Sequence, residues 1–217
     1  MTRYVMVADL RRCVGCQTCT AACKLANVTP PGVQWRRVLD LEVGEYPNVQ
    51  RVFMPTGCQH CAKPPCLDVC PSGATQQRDD GIVHIEYDVC IGCANCAVAC
   101  PYDARYVVAD QEYAYGEAPT EDEEVDGKRD YVGVASKCNF CVELIDAGIA
   151  NGLTPGEDAE ATPRCVNSCI SGAMTFGDID DPESTVSKLL SETKHYRLKT
   201  EEGTGPGFYY IWDGDEL

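Results

Sequence analysis

The sequence lacks several features that would assign it to common functional classes. No hydrophobic stretch approaches the ~18 apolar residues that a membrane-spanning helix needs, so we expect no transmembrane segment. It has no nucleophile elbow, phosphate-binding loop or dinucleotide-binding fingerprint. Histidine is scarce, with only His60, His84 and His195 scattered along the chain. We therefore expect no catalytic site on this chain.

Positive charge is also scarce. Eighteen Lys and Arg stand against 34 Asp and Glu, which leaves a formal net charge of −16. A nucleic-acid partner is not expected, because phosphate binding needs a basic surface. High solubility, a salt-loving host and electrostatic steering would each account for the acidity. Hydrophobic residues make up 44% of the chain, which indicates a globular protein.

The N-terminal sequence shows no apolar segment followed by a small-residue cleavage site, so we expect no signal peptide. The protein would then either stay in the cytoplasm or be exported, already folded, with a partner that carries the signal.

Cysteine is the abundant residue, and its sixteen copies fall into four groups of four. The groups are Cys13, Cys16, Cys19, Cys23; Cys58, Cys61, Cys66, Cys70; Cys90, Cys93, Cys96, Cys100; and Cys138, Cys141, Cys165, Cys169. The first and third groups have the spacing C-x2-C-x2-C-x3-C, which holds [4Fe–4S] clusters in bacterial ferredoxins. The second group lengthens one gap, and an insertion splits the fourth. Four thiolates per cubane predict four [4Fe–4S] clusters, and hence a protein that transfers electrons.

The spacing also predicts how the groups pair. Three cysteines at intervals of three wrap one face of a cubane, while the next cysteine starts a helix and ligates the other cluster of a two-cluster unit. Gly15 and Gly92 predict backbone that curls closely around the iron. The adjacent second and third groups should pair, which leaves the first and last groups to pair across the chain. The four predicted ligand sets are Cys13, Cys16, Cys19, Cys169 (set 1); Cys138, Cys141, Cys165, Cys23 (set 2); Cys90, Cys93, Cys96, Cys70 (set 3); and Cys58, Cys61, Cys66, Cys100 (set 4).

Two other uses of cysteine remain open at this point. A disulfide scaffold would also have an even number of cysteines, although with less regular spacing and usually in a shorter chain. A zinc site would account for the fourth group taken alone. It would not account for two runs of C-x2-C-x2-C-x3-C.

The predicted fold is α+β, with two nested bacterial-type two-cluster ferredoxin units that carry hairpin and loop insertions. The outer unit comprises residues 1–57 and 131–177, the inner unit 58–106, an acidic insertion 107–130, and a C-terminal docking or covering tail 178–217. Predicted strands lie at 4–8 and 82–85, a hairpin at 35–43 and 49–54, and helices at 138–149 and 183–192. Residues 151–163 are rich in Gly, Pro and acids and predict an exposed excursion.

Together, the four groups resemble the iron–sulfur electron-transfer subunits of the dimethyl sulfoxide reductase superfamily of molybdenum or tungsten enzymes. The segments that carry the resemblance most specifically are Pro30–Val33, Val43–Pro47, Ala99–Tyr106 and the Gly203–Pro206 tail. They look most like the polysulfide and thiosulfate reductase branch and the arsenate reductase small subunits. Some relatives replace a cysteine of the third group and hold a three-iron cluster, whereas this chain keeps Cys96.

The resemblance implies partners as well as cofactors. A cluster on set 1 would face a molybdopterin catalytic subunit, followed by sets 2, 3 and 4, and set 4 would face a quinone-reactive membrane subunit. The complex would be membrane-associated through its partners, on the periplasmic or the cytoplasmic face, and would respire a sulfur compound or an arsenic oxyanion. A free-standing polyferredoxin and a transhydroxylase-type small subunit are the alternatives.

Overall fold

A computed structural model of the chain describes residues 2–110, 112–121, 123–124 and 131–214. Parts of the predicted acidic insertion therefore lie outside the described residues. The described strands are β1 Tyr4–Asp9, β2 Arg36–Val43, β3 Gln50–Gly57, β4 Thr75–Gln77, β5 Val83–Ile85, β6 Tyr106–Val107, β7 Ala135–Ser136, β8 Met174–Asp178, β9 His195–Tyr196 and β10 Phe208–Ile211. The described α-helices are α1 Thr18–Asn27, α2 Pro65–Asp68, α3 Asn95–Val98, α4 Val142–Ala150, α5 Arg164–Asn167 and α6 Thr185–Glu192.

A four-stranded sheet joins the two ends of the chain, in the order β8-β1-β10-β9. In it, β1 pairs antiparallel with β8, so that Met6 lies opposite Phe176. On its other side β1 pairs in parallel with β10, where Met6 lies opposite Phe208. All six residues of β1 are buried, because alternate side chains enter the main core on one face and the smaller cluster beside α6 on the other. Burial on both faces explains why this strand reads as a nearly continuous apolar run.

The predicted hairpin is confirmed as β2 and β3, which pair antiparallel from Arg36 opposite Gly57 to Val43 opposite Gln50. The strand predicted before the third cysteine group is confirmed as β5, which pairs antiparallel with β4. At the open end of the β2–β3 hairpin, β2 begins with Arg36, whose side chain is almost completely buried. The hairpin thereby places a cation in the interior, next to the cysteines.

The cysteine loops differ from the prediction in where their helices begin. Gln17 and Ala94 have left-handed backbone conformations and directly precede α1 and α3. Each helix therefore contains the third cysteine of its group, Cys19 or Cys96. The prediction that the fourth cysteine starts a helix is wrong here, because the backbone turns one residue before the helix and thus ahead of the third cysteine.

The helix predicted at 138–149 begins later, at Val142, because Phe140 and Cys141 have positive φ angles of 59° and 55°. The excursion at 151–163 is exposed only in its first part. Ala161, Thr162 and Pro163 are buried, and Ala161 packs against Gly148 of α4. The predicted helix at 183–192 is confirmed as α6, which Ser184 caps by accepting a hydrogen bond from the Ser187 N–H at 3.2 Å.

Candidate metal centres

The thiols of set 1 lie close together although Cys169 is far from the others in sequence. Burial raises the pKa of the Cys13 thiol, and the thiols of Cys169 and Cys16 raise it further. Burial also raises the pKa of Cys19 to about 11, with Cys13 and Cys169 among the contributing neighbours. Helix α1 carries Cys19, and it packs against α5, which ends two residues before Cys169.

Set 2 lies deeper in the molecule. Burial raises the pKa of Cys23, and the thiols of Cys138, Cys165 and Cys141 raise it further. Burial also raises the pKa of Cys138 to about 11 and that of Cys141 to about 12. A cysteine from the first group thus lies among three cysteines of the last group.

Set 4 lines one cavity. Its lining includes Cys58, Cys61, Cys66 and Cys100 of two different cysteine groups. Burial raises the pKa of Cys61 to about 12, and the thiols of Cys58, Cys66 and Cys100 contribute. Arg105 also lines the cavity, and its Nη2 donates a hydrogen bond to Cys66 Sγ at 2.9 Å.

Set 3 is brought together less completely. Cys70, Cys90 and Cys96 belong to one hydrophobic cluster, whereas Cys93 is exposed. The Ala135 N–H donates to Cys90 Sγ at 3.3 Å. Burial raises the pKa of Cys70, but hydrogen bonds from Thr75 and Ser72 outweigh burial and lower it to about 7.

The sets adjoin one another in an order that differs from the one implied by the resemblance. Sets 1 and 2 meet in the main core, where Cys19 belongs to the same buried cluster as Cys138 and Cys165. Set 2 meets set 4 there, because Cys58 packs against the cluster that contains Cys138. Arg105 lies between Cys66 of set 4 and Cys96 of set 3. The order is therefore 1, 2, 4, 3, and set 3 rather than set 4 lies at the end.

The residues present fit iron–sulfur clusters better than the two alternatives. All sixteen cysteines are free thiols, which does not support a disulfide scaffold. Within the described residues, no group of three or more His, Cys, Asp or Glu side chains is arranged to hold a single metal ion. A cubane spreads its thiolates over four iron atoms, and so it tolerates a wider arrangement than one zinc ion.

A buried charge points the same way. Arg36 is 1% exposed, and its Nε and Nη1 atoms have no hydrogen-bond partner among the described residues. The ionisable neighbours that raise its pKa are thiols, first Cys165 and then Cys138, Cys23 and Cys19. A buried guanidinium is costly unless an anion accompanies it. Metal-bound thiolates are deprotonated and would supply that negative charge.

Hydrogen bonds to sulfur repeat at two sites that the sequence interpretation did not single out. Ser72 lies 3.8 Å from Cys70 Sγ, and Ser171 lies 3.7 Å from Cys169 Sγ. Backbone N–H groups of Thr75 and Ala173 donate to the same two sulfurs at 3.4 and 3.2 Å. The sequence Cys-x-Ser-Gly, which occurs at both 70–73 and 169–172, could have indicated these hydrogen bonds. Such hydrogen bonds are one of the ways a protein sets cluster potentials.

The glycine-rich end of the chain covers the second cysteine loop. The N–H groups of Ala62 and Lys63 donate to the carbonyls of Gly205 and Thr204 at 2.8 and 2.9 Å. Thr204 also hydrogen-bonds the Cys61 side chain, which lowers the pKa that burial raises. The residues that follow form β10, in which Phe208, Tyr210 and Ile211 are completely buried. This part of the tail therefore covers the protein's own core.

His60 is a buried structural histidine rather than an exposed one. Its Nδ1 accepts a hydrogen bond from the Val83 N–H at 3.1 Å, and its ring stacks on Phe140 with centroids 3.6 Å apart. No described residue forms a hydrogen bond with its Nε2. Burial, followed by the charges of Lys137 and Arg36, holds its pKa well below the usual value.

Two glycines of the cysteine loops have the backbone that the sequence predicts. Gly15 and Gly92 have positive φ angles of 68° and 63°, a region that glycine enters without steric cost. This conformation fits their predicted role in curling the loops.

Comparison with known proteins gives the family. Residues 49–115 match the model of a 4Fe–4S dicluster domain. The chain is 40% identical to the B subunit of the selenate reductase of Mesobacillus selenatarsenatis, over 96% of this chain and 72% of the relative. It is 38% identical to the B subunit of the tetrathionate reductase of Salmonella typhimurium, over 96% and 72%. It is 35% identical to the arsenate respiratory reductase iron-sulfur subunit ArrB of a Shewanella species, over 96% of both chains. These relatives match the chain almost from end to end, and the match includes its four cysteine groups. The chain therefore belongs to the iron–sulfur electron-transfer subunits of the molybdopterin reductases in the dimethyl sulfoxide reductase superfamily.

Proposed function

We propose that this chain is a non-catalytic subunit that carries four [4Fe–4S] clusters between a molybdenum or tungsten bis-pterin catalytic subunit and a quinone-reactive membrane subunit. The clusters, when bound, supply one-electron transfer. The observation that carries the proposal is the crossed grouping of thiols, in which Cys169, Cys23 and Cys100 each lie among cysteines of another group. Crossed ligation is the arrangement of two-cluster ferredoxins.

The proposed ligands are those of sets 1 to 4, and the proposed organisation is nested. In it, residues 1–57 and 131–177 form the outer unit around an inner unit at 58–106, with the insertion at 107–130 and the tail at 178–217. The pairing of β1 with β8 and the packing of α1 on α5 support an outer unit built from distant parts of the chain.

Two surfaces are suited to the two partners. Cys16 and Cys93 are the exposed cysteines of the sixteen, and they belong to the two sets at the ends of the order. Exposed apolar residues flank the cysteines of both sets. They are Val14 and Ile170 beside set 1 (face 1), and Val69, Val89, Ile91 and Val98 beside set 3 (face 3). We assign face 1 to the catalytic subunit and face 3 to the membrane subunit, because exposed apolar groups next to a redox centre favour docking of a partner.

The proposed partners would attach the complex to the membrane. Among the described residues, every helix is too short or too polar to span a bilayer. We propose that the complex is held at the membrane by its other subunits, with the periplasmic face favoured. Its substrate would be an oxyanion of sulfur, arsenic or selenium, since the relatives are named for tetrathionate, arsenate and selenate.

Anaerobic purification of the native complex tests this function. We expect a large pterin-binding subunit to copurify, with molybdenum or tungsten, quinol-linked turnover and about sixteen irons on this chain at four per cubane. A lone brown monomer with the same iron content would instead support a free-standing polyferredoxin. A pterin complex that turns over without quinone or any external electron would support a transhydroxylase-type role. A colourless, zinc-loaded protein would contradict all three.

A further inference from the structure

Three cations are almost completely buried in this acidic protein. Arg36 and Lys137 are each 1% exposed, and Arg105 is 5% exposed. Lys and Arg are almost never fully buried unless they are paired. Yet within the described residues none of the three forms an ion pair with a carboxylate at 4.0 Å or less. Their location in the molecule is what they have in common.

Arg36 lies where sets 1 and 2 meet. Its Nη2 donates to Met6 Sδ at 2.9 Å, and its guanidinium carbon lies 4.9 Å from the centre of the Phe208 ring. Within the part of the chain that the structure describes, its Nε and Nη1 atoms have no hydrogen-bond partner. The thiols around it are Cys19 of set 1 and Cys23, Cys138 and Cys165 of set 2.

Lys137 lies where sets 2 and 4 meet. Its Nζ donates to the carbonyl of Cys138 at 2.7 Å and to the carbonyl of Val83, which lines the cavity of set 4. The thiols around it are Cys138 of set 2 and Cys58 and Cys66 of set 4. Both hydrogen-bond partners are neutral carbonyls, so the ammonium charge is not compensated by them.

Arg105 lies where sets 4 and 3 meet. Its Nη1 donates to Thr75 Oγ1 at 2.9 Å, and its Nη2 donates to Cys66 Sγ at the same distance. The thiols around it also include Cys58 of set 4 and Cys96 of set 3. Each of the three junctions in the order 1, 2, 4, 3 therefore holds one of these buried cations.

We propose that Arg36, Lys137 and Arg105 are positioning residues for electron transfer, each raising the reduction potential of the two clusters between which it lies. This inference rests on the proposed function, since it requires the four clusters. Reduction of a cubane adds one electron and no compensating proton, and a fixed cation in a weakly polarisable interior stabilises that added charge. Because each cation is shared by two neighbouring sets, it stabilises the electron on either side of the junction. The potentials of both clusters at a junction are therefore raised together.

A redox titration monitored by electron paramagnetic resonance tests the proposal on the full chain purified anaerobically with its clusters. Lys137→Met should lower the equilibrium constant for reduction of the set 2 and set 4 clusters by about tenfold or more, which is 59 mV for one electron. The set 1 and set 3 clusters should keep their potentials. Arg36→Gln should shift sets 1 and 2, and Arg105→Gln should shift sets 4 and 3.

The matched variants separate charge from shape. Arg36→Lys and Arg105→Lys keep the charge and should stay within a few-fold of the original equilibrium constants, as should exposed Lys194→Met. Equal shifts in the Lys and Gln variants would overturn the proposal, as would unchanged potentials in a charge-removing variant that still binds all four clusters. Iron content is measured first on the unsubstituted chain. Fewer than four clusters there would contradict the proposed function itself, independently of any variant.

Discussion

Cys165 and Cys169 lie four residues apart, yet their thiols have different neighbours. Cys169 lies near Cys13 and Cys19 at the end of the order, whereas Cys165 adjoins Cys23 and Cys141. We therefore expect Cys169→Ala to disturb the cluster of set 1 and Cys165→Ala to disturb that of set 2. Iron analysis and electron paramagnetic resonance of both variants would measure this, since each should lose one cluster signal or convert it to a three-iron signal.

The two variants serve as each other's control, because they remove the same atoms from the same stretch of chain. Crossed ligation would be wrong if Cys169→Ala lost the signal that Cys138→Ala also loses. It would equally be wrong if both substitutions affected one and the same cluster.

Asp9, at the end of β1, has the most buried carboxylate among the ion pairs described for this chain. Burial raises the pKa of its carboxyl, but hydrogen bonds from Arg11 at 2.7 and 2.8 Å outweigh burial, so the pKa is lowered overall. A lowered native pKa means that the stabilisation is present above the unfolded-state pKa. It is lost as the pH falls through the native pKa.

We expect Asp9→Asn to lower the free energy of unfolding by about 1–2 kcal/mol at pH 7. This is less than the roughly 1.5–3 kcal/mol of a hydrogen bond to a charged group, because Arg11 is partly exposed and solvent screens the pair. The difference should be smaller at an acidic pH below the lowered native pKa of Asp9, where the carboxyl is protonated. Thermal unfolding at both pH values measures this, with a decrease in Tm of about 2–4 °C per kcal/mol. The exposed pair Asp40–Arg51 provides the control, and Asp40→Asn should barely change the Tm. An equal loss at both pH values would contradict the ionic explanation.

At the scale of elements, α4 depends on one close approach. Gly148 lies on the buried face of this helix, and a Cβ atom there would overlap the side chain of Ala161. Ala161 is completely buried in a short 3-10 turn, so it cannot move aside easily. Helix propensity by itself would favour alanine by about 1 kcal/mol.

We expect Gly148→Ala to destabilise the protein nevertheless, by about 1–3 kcal/mol, because overpacking of a rigid contact exceeds the gain in propensity. Chemical or thermal unfolding measures the change. Ala147→Ser, on the exposed face of the same helix, is the matched control and should have little effect. A stabilised Gly148→Ala variant would show that α4 and the turn separate readily.

At the scale of the whole molecule, the proposed function implies that face 1 and face 3 bind different partners. Val98 on face 3 is 87% exposed, and Ile170 on face 1 is 74% exposed. We expect Val98→Asp to weaken the affinity for the membrane partner about tenfold or more, because a carboxylate would be buried in an apolar contact. Ile170→Asp should weaken the affinity for the catalytic partner to a similar degree.

Copurification of tagged subunits, followed by titration of the purified partners, measures both effects. Ile149→Asp on α4 is the matched control, since Ile149 is also exposed but flanks none of the cysteines. Loss of the same partner in both face variants would contradict the assignment of two separate faces.

The cysteine groups, the family and most of the larger elements could be predicted from the amino-acid sequence. Cluster ligation requires strict spacing between cysteines, and this spacing is visible in the sequence. The hairpin, β1, β5 and α6 were predicted from local residue patterns. The start positions of the helices in the cysteine loops were predicted wrongly. Residues with left-handed backbone, Gln17, Ala94 and Cys141, directly precede these helices, and helix propensity does not indicate a start there.

Which sets adjoin, and which residues lie between them, depends on tertiary packing and could not be predicted from the sequence. Nothing local to Arg36, Lys137 or Arg105 distinguishes them from surface cations, because their burial results from strands and loops that meet from distant parts of the chain. The adjacency of set 4 to set 2 has the same origin, since β5 and β7 bring Val83 beside Lys137 and Cys138. The spacing of cysteines along the chain specifies which of them can bind the same cluster. The order of the clusters depends on how the units pack.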